Sequence, residues 1–327
     1  MKLIWLVVVA ICLAAAARIV GVSAYTGSIL IFGAINILLC LGFYVIFGLT
    51  GILSLAHAAF MAIGAYGSGI LSATYGWPIV ASVPAGTVIA AVAGALLGLP
   101  TLRLKSHYLV LVTIAFSEVV RQMLVNLDRL TGGVQGLPVP MLSPFRVFGF
   151  KIDPGSQPLF LLICLLSIAV AIAGLDRLRR GRIGHSFEAV RDDELAASVI
   201  GINLTNTKIM AFVISAALAG YGGALYAHFV GFVSPDHFTF DTTVLVLAMV
   251  VIGGKRSIWG VVIGAALLTA LPEILRDFQD WYPTIYGILL LLTLWLAPNG
   301  LVGRLAPLTW LRKPTGGAAK PAGAVQS

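Results

Sequence analysis

The chain has 327 residues, of which 59% are hydrophobic and 10% are charged, and its mean hydropathy is +1.00. Because a soluble globular domain carries about 25% charged residues, this composition excludes an ordinary soluble enzyme and predicts an all-α helix bundle that crosses a membrane many times. The formal charge of +8 is spread over the ends of apolar segments, which argues against nucleic-acid binding because no single basic face is formed.

Apolar windows of about 20 residues, the length that a bilayer requires, predict about ten transmembrane helices. The windows are 3–22, 28–49, 52–74, 79–100, 107–126, 158–176, 208–231, 240–254, 258–275 and 282–298. The eighth is short and the third is rich in glycine, so eight or nine helices are also compatible with the pattern. The first window resembles a cleavable signal, but its length favours a retained helix.

The distribution of Lys and Arg predicts the orientation. With a cytoplasmic N-terminus, fifteen of the 21 Lys and Arg residues fall on the inner side and six on the outer side, as the positive-inside rule expects. Both termini are then cytoplasmic. The chain is predicted to form one transmembrane domain, 1–307, with a cytoplasmic loop at about 176–207 and an outer loop at about 127–157. A low-complexity cytoplasmic tail, 308–327, is expected to be disordered.

Small residues recur at every fourth position in the fourth window, at Gly86, Ala90, Gly94 and Gly98. Such a stripe favours close packing between helices. A glycine-lined channel wall is the alternative interpretation.

Few ionisable side chains fall inside the predicted spans. Glu118 with Arg121 and Glu273 with Arg276 have i, i+3 spacing, so each pair is expected to neutralise itself near the outer surface. His57 has no acidic residue nearby in the sequence. It is expected to be either a buried structural side chain or part of a polar path or gate.

Motifs for bond chemistry are missing from the sequence. GGKRS, 253–257, lacks the Ser or Thr that must follow the lysine of a P-loop, HExxH does not occur, and the three cysteines have no metal-ligand spacing. We therefore predict no catalytic residue, metal or cofactor on this chain, which is not expected to be an enzyme.

The most polar segment is DRLRRGRIGHSFEAVRDDELAASVIG, 176–201, with ten of the 34 charged residues. Its first four arginines, Arg177, Arg179, Arg180 and Arg182, suit contact with lipid phosphates where the sixth span leaves the bilayer. Its second half predicts a helix of about two turns, capped by Asp192 or Asp193, with Glu194 in the first turn and Gly201 after its end. The expected apolar face consists of Leu195, Val199 and Ile202. So short a helix must dock, on the protein's own spans, on the membrane surface or on a cytoplasmic partner.

Several segments resemble those of one transporter family. ELAASVIGI, 194–202, resembles the EAA loop of ABC-transporter permeases, and GRIGHSFEAVRDDELAASVIGINLTNTKIMAFVISAALAGYGGALYA resembles the branched-chain amino-acid permeases of the LivM branch. Further segments similar to that branch follow one another over residues 28–304: GLTGILSLAHAAFMAIGAY, TLRLKSHYLVLVTIAFSEVVRQ, LTGGVQGL, MVVIGGKRSIWGVVIGA and APNGLVG. One departure is Ala56, where the family usually has glycine.

The resemblance implies a multi-pass permease subunit of an ABC importer in the bacterial inner membrane, so that the outer loop is periplasmic. This subunit would form half of the translocation pathway for branched-chain or other apolar amino acids. The implied partners are a related second permease, two cytoplasmic ATPase subunits that bind ATP and Mg, and a periplasmic substrate-binding protein. The polar segment 176–201 would then be the coupling helix, seated in a groove of an ATPase subunit. Its coupling residues would be Asp192, Asp193, Glu194, Ala197 and Gly201, and the pathway candidates are Ser54, His57 and Glu118.

Two alternatives remain open at this point. Related permeases of the same architecture carry urea, short amides or sugars, and the binding protein largely selects the cargo. An ion-coupled secondary transporter would need carboxylates near mid-membrane, whereas Glu118 and Glu273 are expected near span ends beside an arginine.

Overall fold

The structure is a computed structural model that describes residues 24–101, 106–141, 145–147, 150–152, 157–274, 284–285 and 287–288. The predicted first span and the tail lie outside these residues, as does most of the predicted tenth span. Within the described residues, six helices are long and apolar enough to cross a membrane. The protein is therefore an all-α, multi-pass membrane protein, as the composition predicted.

The helices follow one another along the chain with few other elements between them. They are α1 (Ala24–Phe43), α2 (His57–Ala73), α3 (Ile79–Thr101), α4 (Ser106–Asn126), α5 (Asp128–Thr131), α6 (Gln157–Arg180), α7 (Arg182–Asp192), α8 (Glu194–Val199), α9 (Leu204–Val230), α10 (Phe240–Gly253) and α11 (Ile258–Ile274). A π-helical segment, Tyr44–Leu49, continues α1, and the 3-10 turns are Gly133–Gln135 and Pro235–His237. The strands are β1 (Leu137–Pro138), β2 (Phe145–Val147), β3 (Phe150–Ile152) and β4 (Phe232–Val233).

Eight of the predicted spans coincide with helices in the described residues, but three of these helices are short. α2 and α11 each have 17 residues and α10 has 14, below the roughly 20 that a straight crossing requires. The 3-10 turn before α10 extends its apolar segment to 19 residues, Pro235–Gly253. The predicted third span began at residue 52, whereas α2 begins at His57 because residues 51–56 are not helical. The predicted count of about ten spans is not confirmed by the described residues.

The centre of the bundle is α9, which packs against α3, α2 and α1. Glycines allow these close contacts: a Cβ on Gly86 would lie 2.7 Å from the Gly64 carbonyl oxygen of α2, and one on Gly94 would lie 2.7 Å from the Phe212 carbonyl oxygen of α9. The predicted stripe of small residues therefore serves helix packing, and this contact, rather than a channel wall, explains its spacing.

Loops predicted on the same side of the membrane lie at the same end of the bundle. At one end, Arg191 donates a hydrogen bond to the Gly48 carbonyl oxygen (3.2 Å), and Lys255 Nζ lies 5.0 Å from the ring centroid of Phe47. At the other end, β1 pairs antiparallel with β4, and the Gln157 amide donates to Ser28 Oγ (3.1 Å). We call these the basic end and the strand end.

Candidate functional site

The polar segment at the basic end folds into two short helices, α7 and α8, between the long helices α6 and α9. Asp193 separates them in an extended conformation, and its carboxylate accepts hydrogen bonds from the backbone amides of Leu195 (2.8 Å) and Ala196 (3.1 Å). The predicted N-cap is therefore confirmed at Asp193, whereas Asp192 instead accepts from the Arg191 guanidinium (3.1 Å). An aspartate at this position satisfies amides that have no partner within the helix.

The end of α8 also follows the prediction. Gly201 has a φ of +85°, a left-handed conformation that favours glycine, and the Ile202 amide donates to the Ala197 carbonyl oxygen (3.0 Å). This arrangement satisfies a carbonyl at the helix end. The chain then begins α9, where the Asn203 side chain caps the Asn206 amide (3.0 Å).

Two contacts fix α8 on the rest of the chain. Ala197 is buried, and the Glu194 carboxylate forms an ion pair with Lys208 Nζ of α9 at 2.7 Å. Lys208 is itself buried, so Glu194 neutralises a cation that would otherwise be costly to enclose. The structure thus places Glu194 and Ala197 on the inner side of α8, where they anchor it to this chain.

The sequence did not correctly predict which apolar residues of α8 share one environment. Leu195, Val199 and Ile200 are exposed by 79%, 86% and 73%, while Ile202 is only partly exposed. The Asp193 cap and the Glu194 ion pair set the rotation of the helix, so these three apolar side chains point away from the described chain. A surface of this kind is suited to docking on a cytoplasmic partner or on the membrane surface. We call it the α8 apolar surface.

Residues 51–56 connect the basic end to the interior of the bundle through non-helical backbone. Hydroxyl groups satisfy it: Thr113 Oγ1 of α4 accepts from the Leu55 amide (2.9 Å), and Ser117 Oγ of α4 donates to the Leu55 carbonyl oxygen (3.0 Å). The Ala58 amide, at the start of α2, donates to Thr243 Oγ1 of α10 (3.0 Å). Irregular backbone at membrane depth requires such partners. We call residues 51–56 the break; its hydrogen bonds, with that of Ala58, connect this region to α4 and α10.

Arg191 links the polar segment to the same break. Its guanidinium bonds to Gly48, and a Cβ built on Gly51, whose φ is +72°, would lie 2.9 Å from Arg191 Cγ. Arg191, Thr113, Ser117 and Thr243 were not singled out from the sequence. The available signal was the GLTGILSLA run, 48–56, whose two glycines weaken a helix. Backbone groups that leave the helix need polar partners from elsewhere in the fold.

The three predicted pathway residues do not come together. Ser54 is buried in the break, and His57 is buried at the start of α2, where its Nε2 lies 2.8 Å from the Leu39 carbonyl oxygen. The His57 ring also packs edge-on against Phe43, with centroids 5.4 Å apart. These contacts favour the structural interpretation of His57. Glu118, in contrast, lies on an exposed face of α4, with 53% of its side chain accessible.

The expected position of Glu118 near the outer end of its span is wrong. It lies ten residues after Tyr108 and eight before Asn126, the two ends of the apolar part of α4. At 1.5 Å per residue, Glu118 is about 12 Å from the nearer end. The predicted pairing with Arg121 is confirmed, since the guanidinium donates to both carboxylate oxygens at 2.7 and 3.1 Å.

Among the described residues, no group of three or more His, Cys, Asp or Glu side chains could hold a metal ion. The expectation that the chain carries no cofactor remains a prediction.

Comparison with known proteins adds an independent line of evidence. Residues 25–297 match the family described as the permease component of the branched-chain amino acid transport system. The high-affinity branched-chain amino acid transport system permease protein LivM of Salmonella typhimurium is 39% identical over 292 residues, covering 84% of this chain and 69% of that protein. LivM of Escherichia coli is 39% identical over 305 residues (88% and 71%), and LivH of Escherichia coli is 25% identical over 289 residues (83% and 92%). No solved structure matches the chain.

Proposed function

The chain belongs to the family of branched-chain amino acid transport system permease components, and we propose that it forms half of the translocation pathway of a bacterial ABC importer for branched-chain or other apolar amino acids. The match over residues 25–297 carries this proposal. The relatives named LivM and LivH belong to one kind of transport system, which supports a pair of related permeases. A multi-pass bundle with ten spans and both termini in the cytoplasm would place the strand end in the periplasm.

Energy for transport is proposed to come from two cytoplasmic ATPase subunits, as the membership of this permease family suggests; the sequence itself has no P-loop. The α8 apolar surface is the proposed contact with one of them. Leu195 and Val199 lie one turn apart and are largely exposed, so they would insert together into an apolar groove. Asp193 and Gly201 begin and end this helix, while Asp192 pairs with Arg191 at the end of α7. Only the outer side of α8 is proposed to contact the ATPase.

Movement of α8 would be transmitted to the transmembrane helices through two contacts. The Glu194–Lys208 ion pair joins α8 to α9, and the Arg191–Gly48 hydrogen bond joins α7 to the end of the π-helical segment. ATP binding and hydrolysis would shift α7 and α8 together, and these contacts would switch the bundle between inward-open and outward-open states.

Substrate would be delivered by a periplasmic binding protein at the strand end. The names of the LivM and LivH relatives support branched-chain amino acids over urea, short amides or sugars. A ligand-binding assay on the binding protein of the same importer, which we expect the neighbouring genes to encode, tests that choice. High-affinity binding of urea or a sugar without leucine binding would contradict it.

An ion-coupled transporter is the competing function that the mid-helix position of Glu118 favours. However, Arg121 and the Gln122 amide (2.8 Å) both donate to the Glu118 carboxylate, which holds it as an ion pair rather than as a free proton carrier. Reconstitution of the full complex in liposomes separates the two functions. We expect leucine transport to require ATP on the side of the liposome membrane that the ATPase subunits face. Uptake driven by an ion gradient without ATPase subunits would contradict the proposal.

The ATPase contact is tested by retention of ATPase subunits on an affinity-tagged permease. We expect Leu195→Ser combined with Val199→Ser to release the ATPase subunits while the second permease still copurifies. Val134→Ser is the matched control, because Val134 is an equally simple apolar residue, 68% exposed, at the strand end. Full retention of the ATPases by the double variant would contradict the assignment of the α8 apolar surface.

A further inference from the structure

The outward faces of the helices differ in their chemistry. On α3, the strongly exposed side chains include Val80 (80%), Val88 (60%), Val92 (53%) and Leu96 (62%), all of them apolar. Side chains of this kind suit contact with lipid tails. The exposed face of α4 is different, because polar and charged groups occur in its second half.

The polar groups of α4 form a stripe along one side of the helix. Glu118, Gln122 and Asn126 are exposed and follow one another at i, i+4 and i+8, so they lie above one another on one face. They are connected: Gln122 donates to Glu118 (2.8 Å), and the Asn126 amide donates to the Gln122 carbonyl oxygen (2.7 Å). Arg121 adds a cation next to this stripe. An exposed ion pair near the middle of an apolar helix is costly against lipid, so this face is not suited to lipid.

The same face of α4 also carries a groove that is open on one side. The groove is shallow and, among the described residues, is lined by residues of α4 and by Leu127, which follows it directly. The described chain therefore supplies one wall of this groove. Apolar residues flank the polar stripe, with Val119 and Met123 exposed by 55% and 54%, which provides a surface for another helix to pack against.

We propose that this face of α4 packs against the corresponding helix of the related second permease, and that the polar stripe lines the water-filled seam between the two. The inference rests on the proposed function in one respect, namely that two permeases act as a pair. Because the chain is similar to LivM and also, over 83% of its own length and 92% of the relative's, to LivH, two such subunits share one fold. Similar subunits pair most simply about a two-fold or pseudo-two-fold axis, with the same surface of each in contact.

This arrangement accounts for the features of α4 together. The ion pair and the amides contact water or the partner's polar groups instead of lipid, so their cost near mid-membrane is removed. The flanking apolar residues bury against the partner helix. The Thr113 and Ser117 hydroxyls lie on the opposite side of α4 and hold the break at 51–56. One face of α4 therefore borders the seam while the other contacts the segment that leads to the basic end.

Site-directed photo-crosslinking in the assembled importer tests the surface. A benzophenone amino acid is placed at Val119 or at Met123 of α4, and at Val92 of α3 as the matched control, because Val92 and Val119 are similarly exposed valines. We expect an adduct with the second permease from both α4 positions and none from Val92. Adducts from Val92 alone, or α4 adducts with lipid alone, would overturn the proposal. Failure of any second permease to copurify would instead overturn the proposed function.

A second variant tests the polar stripe without relying on the crosslink. Glu118→Leu combined with Arg121→Leu removes both charges, which would be harmless or stabilising on a lipid-facing surface. If the stripe lines the seam, we expect ATP-dependent leucine uptake by the double variant to fall by about tenfold or more, with the second permease still copurifying. Val88→Leu on α3 is expected to leave uptake unchanged. Uptake by the double variant within about twofold of the parent would show that the stripe does not border the pathway.

Discussion

Gly51→Ala is expected to weaken the contact between the polar segment and the membrane bundle. Alanine at a φ of +72° costs about 1–2 kcal/mol. Its Cβ would also lie 2.9 Å from Arg191 Cγ, closer than such atoms approach in proteins, so Arg191 must move. That movement weakens the hydrogen bond from Arg191 to Gly48, whose charged donor makes it worth about 1.5–3 kcal/mol. The total loss of stability at this junction is about 2–4 kcal/mol.

Gly76→Ala separates the two causes. Gly76 has a φ of +67°, close to that of Gly51, and no described atom lies within 4 Å of its Cβ position. It therefore carries the backbone cost alone, and the difference between the two variants measures the contact with Arg191. Adding Arg191→Ala to each variant completes a double-mutant cycle. We expect it to be strongly non-additive with Gly51→Ala and additive with Gly76→Ala.

The assay is the ratio of leucine molecules transported to ATP molecules hydrolysed by the reconstituted complex, together with its thermal denaturation in detergent. Gly51→Ala is expected to lower this ratio by about threefold or more relative to Gly76→Ala, because movement of α7 is transmitted less well to the bundle. It is also expected to denature at a lower temperature than Gly76→Ala. If the two variants match in both measurements, the contact between Arg191 and Gly51 does not join the polar segment to the break, and the reasoning fails.

Two further variants test the other contacts of this region. Glu194→Ala is expected to destabilise the chain by about 1–2 kcal/mol, since it leaves the buried Lys208 without its partner; thermal denaturation measures the loss, and recovery in Glu194→Ala with Lys208→Met would confirm the cause. Thr113→Val keeps the side-chain shape but removes the acceptor of the Leu55 amide, so a loss of about 1–3 kcal/mol is expected. Thr113→Ser should retain most of the stability, and a Val variant as stable as the Ser variant would contradict the role of the hydroxyl.

Features that depend on neighbouring residues were predicted from the sequence. The apolar windows marked the helices, because a bilayer demands an apolar stretch of nearly constant length. Asp193 and Gly201 marked the beginning and the end of α8, because capping depends on backbone groups within a few residues. The stripe from Gly86 to Gly98 indicated close packing for the same reason, since four-residue spacing places small residues on one face.

Features that depend on distant residues required the folded chain. The outward position of Leu195 and Val199 follows from the ion pair between Glu194 and Lys208, whose partners are 14 residues apart. The break before α2 depends on a hydroxyl 58 residues away, at Thr113. Periodicity shows which residues share a face, but it does not show which face a neighbouring helix covers. That choice is made by packing across the whole bundle, which buried one side of α4 and left the side with Glu118 exposed.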